Sequence, residues 1–376
     1  MSLEALRQLD PADREYASRF TDMLLSEAVA ADVSDVHVQP VRAGLELAWR
    51  LDGVLQPLGV FPRGQTTDVV ARCKVLAELL TYRSDLPQEG RLRAAPAGRE
   101  MRVSTFPTLH GERAVIRITA IGNRWRQLDE LELPAEQSTI IRQLLSATSG
   151  ALLITGPAGS GKTTTAYACL RELGQTNQSR RCTISIEDPI EAELPGVAQS
   201  QVNPVAGFDL SSGLKSILRQ DPEVIFVGEI RDRATAEGVF AAALTGHLVL
   251  TTFHAGSVAE ALSRLGEMGM EPYQLSGALR AVISQRLVRR LCECATVLED
   301  EWVGRLPVGC ESCRGSGYRG RMLLAEISDA DQAVSTTLTA RAWAAVRAGQ
   351  TSVAELIRVL GPSAAVREMH SDRSAN

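Results

Sequence analysis

The chain has 376 residues, enough for two or three domains, and its 44% hydrophobic and 23% charged residues are ordinary for a globular protein. This composition excludes a largely disordered chain, a collagen-like fibre and a small disulfide scaffold. The 40 basic and 45 acidic side chains give a formal net charge of −5, which disfavours a general nucleic-acid binder. Seven cysteines and an N-terminus without a secretory pattern predict a reducing, cytoplasmic environment.

Residues 1–121 predict a small α+β domain. Apolar residues recur at helical spacing over the first 30 positions, and alternation then predicts strands with a hairpin turn at Asp52-Gly53. A helix over 67–80 and further strands over 91–94, 100–105 and 113–119 follow. The polar stretch 122–134 is predicted to be a linker, with a hinge near Gly122.

Strands and helices alternate in the second half of the chain. Such alternation predicts a doubly wound, mostly parallel sheet. The predicted strands are 150–155, 183–186, 224–227 and 248–252. The expected segments are an α/β core over 135–291, a Cys-rich part over 292–325, helices over 326–360 and a flexible tail over 361–376.

A phosphate loop follows the first of these strands. The pattern G-x-x-x-x-G-K-[ST] is met in full by Gly156-Pro157-Ala158-Gly159-Ser160-Gly161-Lys162-Thr163, and Thr164 continues into a predicted helix. Backbone N–H groups of such a loop cradle phosphates, Lys162 would reach the β- and γ-phosphates, and the Thr163 hydroxyl would bind Mg²⁺. Only three lysines occur in the chain, so one within this pattern is improbable by chance.

Carboxylates and histidines follow other strands of the same predicted sheet. Glu229 ends an apolar strand and is a candidate to activate water, although Gly228 occupies the position where an aspartate usually binds metal. Glu187 and Asp188 follow another strand, and His247 and His254 flank a third. Ligands collect at strand ends in open α/β sheets, yet each residue alone could also be a solvated or structural group.

These segments together resemble the secretion ATPases of type II secretion and type IV pilus assembly (GspE/PilB type). The four nucleotide boxes of that family match, in order, residues 156–165, 183–191, 218–232 and 245–255. The glycine at position 228 is itself typical of the family. Outside the boxes, the matching segments are 34–40, 50–54, 86–91, 102–105, 111–113, 285–292 and 317–321.

The resemblance implies a RecA-like P-loop motor domain behind a smaller, PAS-like α+β domain. It implies a hexamer that hydrolyses ATP, with Glu229 activating water, Glu187 and Asp188 organising Mg²⁺, and His247 and His254 sensing the γ-phosphate. Three N-terminal arginines would approach the phosphates: Arg91, Arg102 and Arg113. The alternative for each arginine is a surface ion pair on a strand.

The resemblance also implies partners. An inner-membrane platform protein and a cytoplasmic docking protein are expected, with the chain peripheral to the inner membrane and without direct nucleic-acid binding. About 30 residues precede Ser34, so the family's usual docking arm is expected to be missing or on another chain.

Four cysteines form a separate cluster. Cys310 and Cys313 make a C-x-x-C pair, and Cys292 and Cys294 make a shorter C-x-C pair. Four thiolates suit tetrahedral Zn²⁺, as in the assembly and type II ATPases that the chain resembles, but the short pair departs from their spacing. A metal-free vestige and disulfides are the alternatives.

Three other functions are weighed against the assembly motor. A pilus retraction motor is disfavoured by the cysteine cluster and by Ala242-Ala243-Leu244 ahead of His247. A RecA-like nucleic-acid motor is disfavoured by the acidic balance. A nucleotide-binding scaffold without turnover is disfavoured by the presence of both Lys162 and Glu229.

Overall fold

The chain folds into two compact units, residues 1–124 and 125–376. A computed structural model describes residues 3–93, 96–119, 127–175, 181–297, 305–329 and 336–364. The predicted hinge at Gly122 and most of the predicted tail lie outside these residues.

The N-terminal unit is a six-stranded antiparallel sheet with helices against one face. Its helices are α1 (Leu3–Arg7), α2 (Tyr16–Ala30) and α3 (Val69–Leu76). Its strands are β1 (Asp35–Val41), β2 (Gly44–Leu51), β3 (Val54–Phe61), β4 (Gln88–Leu92), β5 (Met101–Thr108) and β6 (Gly111–Ile118), in the order β3-β2-β1-β6-β5-β4.

Alternation along the strands fixes which face of this sheet is buried. Val36, Val38, Val103 and Ile116 point into a core shared with α2 and α3, while the side chains between them lie on the opposite, open face. The predicted turn between β2 and β3 is confirmed at Asp52-Gly53, where both residues have positive φ.

The C-terminal unit is a seven-stranded α/β sheet in the order β15-β12-β7-β11-β10-β8-β9. Its strands are β7 (Gly150–Thr155), β8 (Thr183–Glu187), β9 (Ala198–Gln201), β10 (Val224–Val227), β11 (Leu248–Phe253), β12 (Leu279–Leu291), β13 (Thr296–Val297), β14 (Arg305–Leu306) and β15 (Tyr318–Asp329), of which β13 and β14 form a separate hairpin. All pairings in the large sheet are parallel except β12 with β15.

Helices cover both faces of the large sheet. They are α4 (Ala135–Leu145), α5 (Lys162–Gln175), α6 (Leu210–Ile217), α7 (Arg233–Leu244), α8 (Val258–Glu267), α9 (Pro272–Ala278), α10 (Leu338–Arg347) and α11 (Val353–Leu360). Leu152 and Ile154 of β7 pack with α5, and Leu153 packs with α6 and α7 on the other side, so β7 lies between two cores. The predicted fold class is confirmed.

Two predicted boundaries differ from the structure. Leu128 and Leu131 lie in the predicted linker, but both are buried in the core of the C-terminal unit, because a 3₁₀ turn over Leu128–Leu131 packs there. The predicted Cys-rich segment 292–325 also overlaps the sheet, because β15 begins within it at Tyr318 and pairs with β12 along almost its whole length.

Candidate nucleotide-binding site

The phosphate loop connects β7 to α5 at the carboxyl edge of the parallel sheet. Gly156 has φ 155°, and a Cβ there would lie 2.4 Å from Ser160 Oγ and 2.7 Å from the Gln285 carbonyl oxygen. Gly161, the second glycine of the pattern, has φ 88°. The loop therefore requires glycine at both positions, by contact at the first and by conformation at the second.

Lys162 is buried at the start of α5. Its Nζ donates to the carbonyl oxygens of Gly156 at 2.8 Å and Pro157 at 3.0 Å, and lies 3.5 Å from His254 Nδ1. Burial, together with the nearby Arg286 guanidinium, lowers the pKa of Lys162 to about 8. Thr163, on the first turn of α5, is half-buried beside it. The ammonium group is thus held at the mouth of the loop, where phosphate oxygens bind in this class of site.

Gln285 of β12 supports the loop from the neighbouring strand, and the sequence analysis did not single it out. It is fully buried, and its Nε2 donates to the Ser160 carbonyl oxygen at 2.7 Å. The next residue, Arg286, donates to the carbonyl oxygens of Gln285 at 2.9 Å and Gly256 at 2.6 Å. The only signal for this support was that residues 285–292 resemble the family.

Glu229 lies close to Lys162 through His254. His254 Nε2 lies 3.3 Å from Glu229 Oε2, while its Nδ1 faces Lys162. Burial, with the charges of Lys162, Arg264 and Arg231, lowers the pKa of His254 and so favours the neutral ring. A neutral ring with Nδ1 accepting from lysine donates from Nε2 to the carboxylate, and this assignment follows from the two contacts.

Arg231 was also missed as a site residue. Its Nε pairs with Glu229, and its Nη1 donates to Asp188 Oδ2 at 2.7 Å. One arginine therefore joins the carboxylates that follow β8 and β10, and Asp188 lies on the same edge of the sheet as Glu229.

Glu187 differs from its neighbour because it is buried, at 2% exposure. It accepts hydrogen bonds from Ser185 Oγ at 2.7 Å, from Gln199 Nε2 at 3.0 Å and from the Tyr167 hydroxyl. Tyr167 belongs to α5, so Glu187 ties the end of β8 to the helix of the phosphate loop. Burial, and then the hydrogen bond to Glu187, raises the pKa of Tyr167.

His247, which was predicted with His254 to sense the γ-phosphate, does not join this group. His247 comes just before β11 and His254 comes just after it. The six residues of β11 span about 20 Å, so the two histidines lie at opposite edges of the sheet. His247 instead lines a cavity of about 570 Å³ at the amino edge of the sheet, with Arg142, Arg181 and Glu223.

The three predicted N-terminal arginines separate into two groups. Arg91 and Arg102 both approach Glu100, at 3.4 and 3.6 Å. Arg113 Nη2 instead lies 2.8 Å from His37 Nδ1. Surface ion pairs of the first kind contribute little to stability.

The four cysteines converge in one cluster. Their sulfur atoms all lie within 4.8 Å of one another, with Sγ–Sγ distances of 3.8 Å for Cys292–Cys310 and Cys294–Cys313 and 3.7 Å for Cys310–Cys313. Four thiolates about 2.3 Å from a central zinc are about 3.8 Å apart at the edges of the tetrahedron. The four sulfur atoms, those of the short C-x-C pair included, are therefore close enough together to bind one zinc ion.

A phosphate-binding loop at the carboxyl edge of a mostly parallel sheet, with a carboxylate near its lysine, is the arrangement of the P-loop ATPases, and the fold and site put this chain in that class. The sequence profile described as "Type II/IV secretion system protein" matches residues 10–368. The chain belongs to this family, as the motifs predicted.

Individual proteins agree with this assignment. The chain is 37% identical to the type IV pilus assembly ATPase PilB of Thermus thermophilus over 87% of its own length and 39% of that protein. It is 38% identical to the type II secretion system protein E of Aeromonas hydrophila, over 94% of its length and 72% of that protein. The X-ray structure of the Legionella pneumophila ATPase DotB has the same fold, with a TM-score of 0.67 at 21% identity, over 91% of this chain and 95% of that one.

Among the described residues, the helices are too short or too polar for any of them to span a bilayer.

Proposed function

We propose that this ATPase is a hexameric motor that drives the assembly of pilin-like subunits at an inner-membrane platform. The two relatives above are named as a type IV pilus assembly ATPase and a type II secretion system protein, which supports this proposal. The observation that supports hydrolysis is the chain of contacts from Lys162 through His254 to Glu229, because it puts a phosphate-binding cation and a carboxylate on either side of one imidazole ring.

Each residue of that line has a proposed role. Lys162 binds the β- and γ-phosphates, the backbone of 156–161 cradles them, and Thr163 provides its hydroxyl to Mg²⁺. Glu229 accepts the proton of the attacking water, and His254 holds Glu229 and reports on the γ-phosphate through Lys162. Asp188 is exposed enough to orient Mg²⁺ through water, whereas the buried Glu187 acts by fixing the end of β8.

The N-terminal arginines complete the proposed chemistry. Arg91 and Arg102 supply positive charge as charge develops on the transferred phosphoryl group. Their present partner is a single shared carboxylate, Glu100, which a nucleotide phosphate can replace at small cost.

The partners follow from the same proposal. The chain acts at the inner face of the membrane through a platform protein and a docking protein, and it binds zinc through Cys292, Cys294, Cys310 and Cys313. The zinc has a structural role, because the cluster lies beside the hairpin of β13 and β14 and has four protein ligands.

The proposal is tested in cells that depend on the chain. Lys162→Ala, expressed at the parent level, is expected to abolish Mg²⁺-dependent ATP hydrolysis in the purified protein and to remove surface filaments or secreted cargo from the cells. Lys215→Ala, which changes another lysine of the same unit, is the matched control and is expected to keep both. Excess filaments in Lys162→Ala cells would indicate a retraction motor, and nucleic-acid-stimulated hydrolysis would indicate a nucleic-acid motor.

A further inference from the structure

A cleft lies within the C-terminal unit, between α10, β15 and the residues that lead into α4. Its volume of about 450 Å³ is in the range of small-molecule binding sites. Much of its wall is aliphatic, with Met322, Leu323 and Leu324 on one side and Leu133 and Pro134 on another. This cleft, called the α10 cleft below, shares no residue with the nucleotide-binding site.

The sequence of α10 leaves this space open. Arg341, Ala344, Ala345 and Ala348 are spaced i, i+3, i+4 and i+7, which puts them on one face of the helix, and all four line the α10 cleft. Three of the four carry only a methyl group, so this face of α10 fills little of the space beside β15. Arg341 is the long, charged side chain of the face.

Arg341 lines the α10 cleft with two unused donors. Its Nε and Nη2 atoms are buried, and neither has a hydrogen-bond partner among the described residues. These two nitrogens form one edge of the guanidinium, which suits two oxygen atoms of a carboxylate or phosphate bound side by side. Burial lowers the pKa of Arg341, and the exposed carboxylate of Glu136 raises it, but the two form no ion pair in the described part of the chain.

Gln137 provides an unused acceptor on the same cleft. It is fully buried, and its Nε2 donates to the Ala325 carbonyl oxygen at 2.7 Å, which fixes the orientation of the amide. Its Oε1 then has no donor among the residues that the structure describes. Buried polar atoms without a partner are rare in native proteins, and a bound water, ion or ligand is the usual explanation.

The remaining charged residues that line the α10 cleft cancel each other. Arg290 pairs with Glu132, so Arg341 leaves the lining with a net positive charge. A positive edge with paired donors, a separate acceptor and aliphatic walls is the composition of a site for an amphipathic anion.

We propose that the α10 cleft binds a small organic anion, either a carboxylate or a phosphate monoester, that has an aliphatic portion. The edge of Arg341 binds two oxygen atoms of the anionic group, and a hydroxyl or N–H group of the ligand donates to Gln137 Oε1. The aliphatic walls bind the rest of the ligand. Because the cleft is separate from the phosphate loop, this inference does not depend on the proposed motor function.

The test is methyl NMR of the full chain with isotope-labelled methionine. Met322 lines the α10 cleft, so its signal, assigned by its loss in Met322→Leu, reports this cleft and not binding at the phosphate loop. Hexanoate and hexyl phosphate are the anionic probes, and hexanol is the neutral control with the same aliphatic chain. At least one anion is expected to shift the Met322 signal to saturation and to bind at least about tenfold more tightly than hexanol, because charge-assisted bidentate hydrogen bonds contribute this much.

The two anions distinguish the two sources of negative charge. Tighter binding of hexanoate assigns the cleft to carboxylates, and tighter binding of hexyl phosphate assigns it to phosphate esters. Affinity for hexanol equal to that for the anions, or no saturable shift with either anion, overturns the inference.

Variants of α10 locate the binding. Arg341→Ala is expected to weaken anion binding by on the order of 10–100-fold. Arg347→Ala, exposed on the same helix and outside the cleft, is the matched control and is expected to keep the parent affinity. Thermal unfolding of each variant checks its folding, and unchanged affinity in a folded Arg341→Ala overturns the inference.

If Arg341→Ala does not fold, Ala344→Leu decides. Ala344 is exposed and lines the α10 cleft, so leucine there keeps Arg341 and occupies part of the space that the ligand needs. Loss of anion binding in folded Ala344→Leu supports the inference, and parent affinity overturns it.

Discussion

Glu229 is the residue on which the proposed hydrolysis depends most. Glu229→Gln keeps the shape of the side chain and its contact with His254 but removes the base, so ATP binding is expected to change little while kcat falls by about 10²–10⁴-fold. Nucleotide affinity and phosphate release measured on the same preparation check both parts.

Glu237→Gln is the matched control for this substitution. Glu237 lies on the exposed side of α7 and pairs with Arg233, outside the site, so its kcat is expected to equal that of the parent. Parent-level turnover by Glu229→Gln would show that another group activates water.

Lys162 makes nucleotide affinity depend on pH. Its pKa is lowered to about 8 by burial, so the ammonium form is full below that pH and is lost as the pH rises through it. ATP favours the charged form, so its affinity is expected to fall by up to about tenfold per pH unit above pH 8, with proton uptake on binding. Calorimetry in two buffers of different ionisation enthalpy measures that uptake.

Lys162→Arg separates this effect from other titrations. Arginine stays charged throughout this range, so the affinity of this variant, although weaker, is expected to be flat with pH and to show no proton uptake. An equal slope in both proteins would assign the pH dependence to another group.

The residues that were predictable from sequence are those whose chemistry lies in a contiguous pattern. Lys162 and Thr163 follow fixed glycines, and Glu229 follows an apolar strand. Because neighbouring parallel strands end at the same edge of a sheet, the sequence predicts that these residues lie together at the carboxyl edge. Gln285 and Tyr167 could not be found in this way. Their partners, Ser160 and Glu187, are distant in sequence, and only the order of strands in the sheet brings them together.

At the scale of elements, the paired strands β12 and β15 were the main omission. The two strands carry six arginines, four in β12 and two in β15, and neither strand alternates strictly, which hid a strand pair of more than ten residues each. Contacts of Arg289 on β12 stabilise this pair: its guanidinium lies over the ring of Tyr318 on β15 and donates to the buried carboxylate of Glu355 on α11 at 2.9 Å.

The cysteine cluster lies along the chain between the end of β12 and the start of β15. Zinc is expected to hold the two cysteine pairs of this connection together. Protein purified without added zinc should contain about one zinc per chain by elemental analysis, because the four sulfur atoms already lie within 4.8 Å of one another. Cys310→Ser is expected to lose the metal and to loosen residues 292–325 in hydrogen exchange while nucleotide binding is retained.

Cys182→Ser is the control, since Cys182 is an exposed thiol outside the cluster and its loss should leave the zinc in place. A parent protein without zinc and with four freely titrating thiols in the cluster would support the vestigial alternative.

At the scale of the whole molecule, the proposed motor works as a ring, and hydrolysis should therefore depend on assembly. Phosphoryl transfer needs positive charge where the γ-phosphate develops it, and we expect Arg91 and Arg102 to provide that charge once the proposed hexamer has formed. Specific ATPase activity is expected to rise with protein concentration and to level off where sedimentation shows complete rings. Arg102→Ala should assemble over the same concentrations but remain slow at all of them, which separates assembly from catalysis. A constant specific activity in a chain that sediments as a monomer would contradict the ring mechanism and favour a self-contained ATPase.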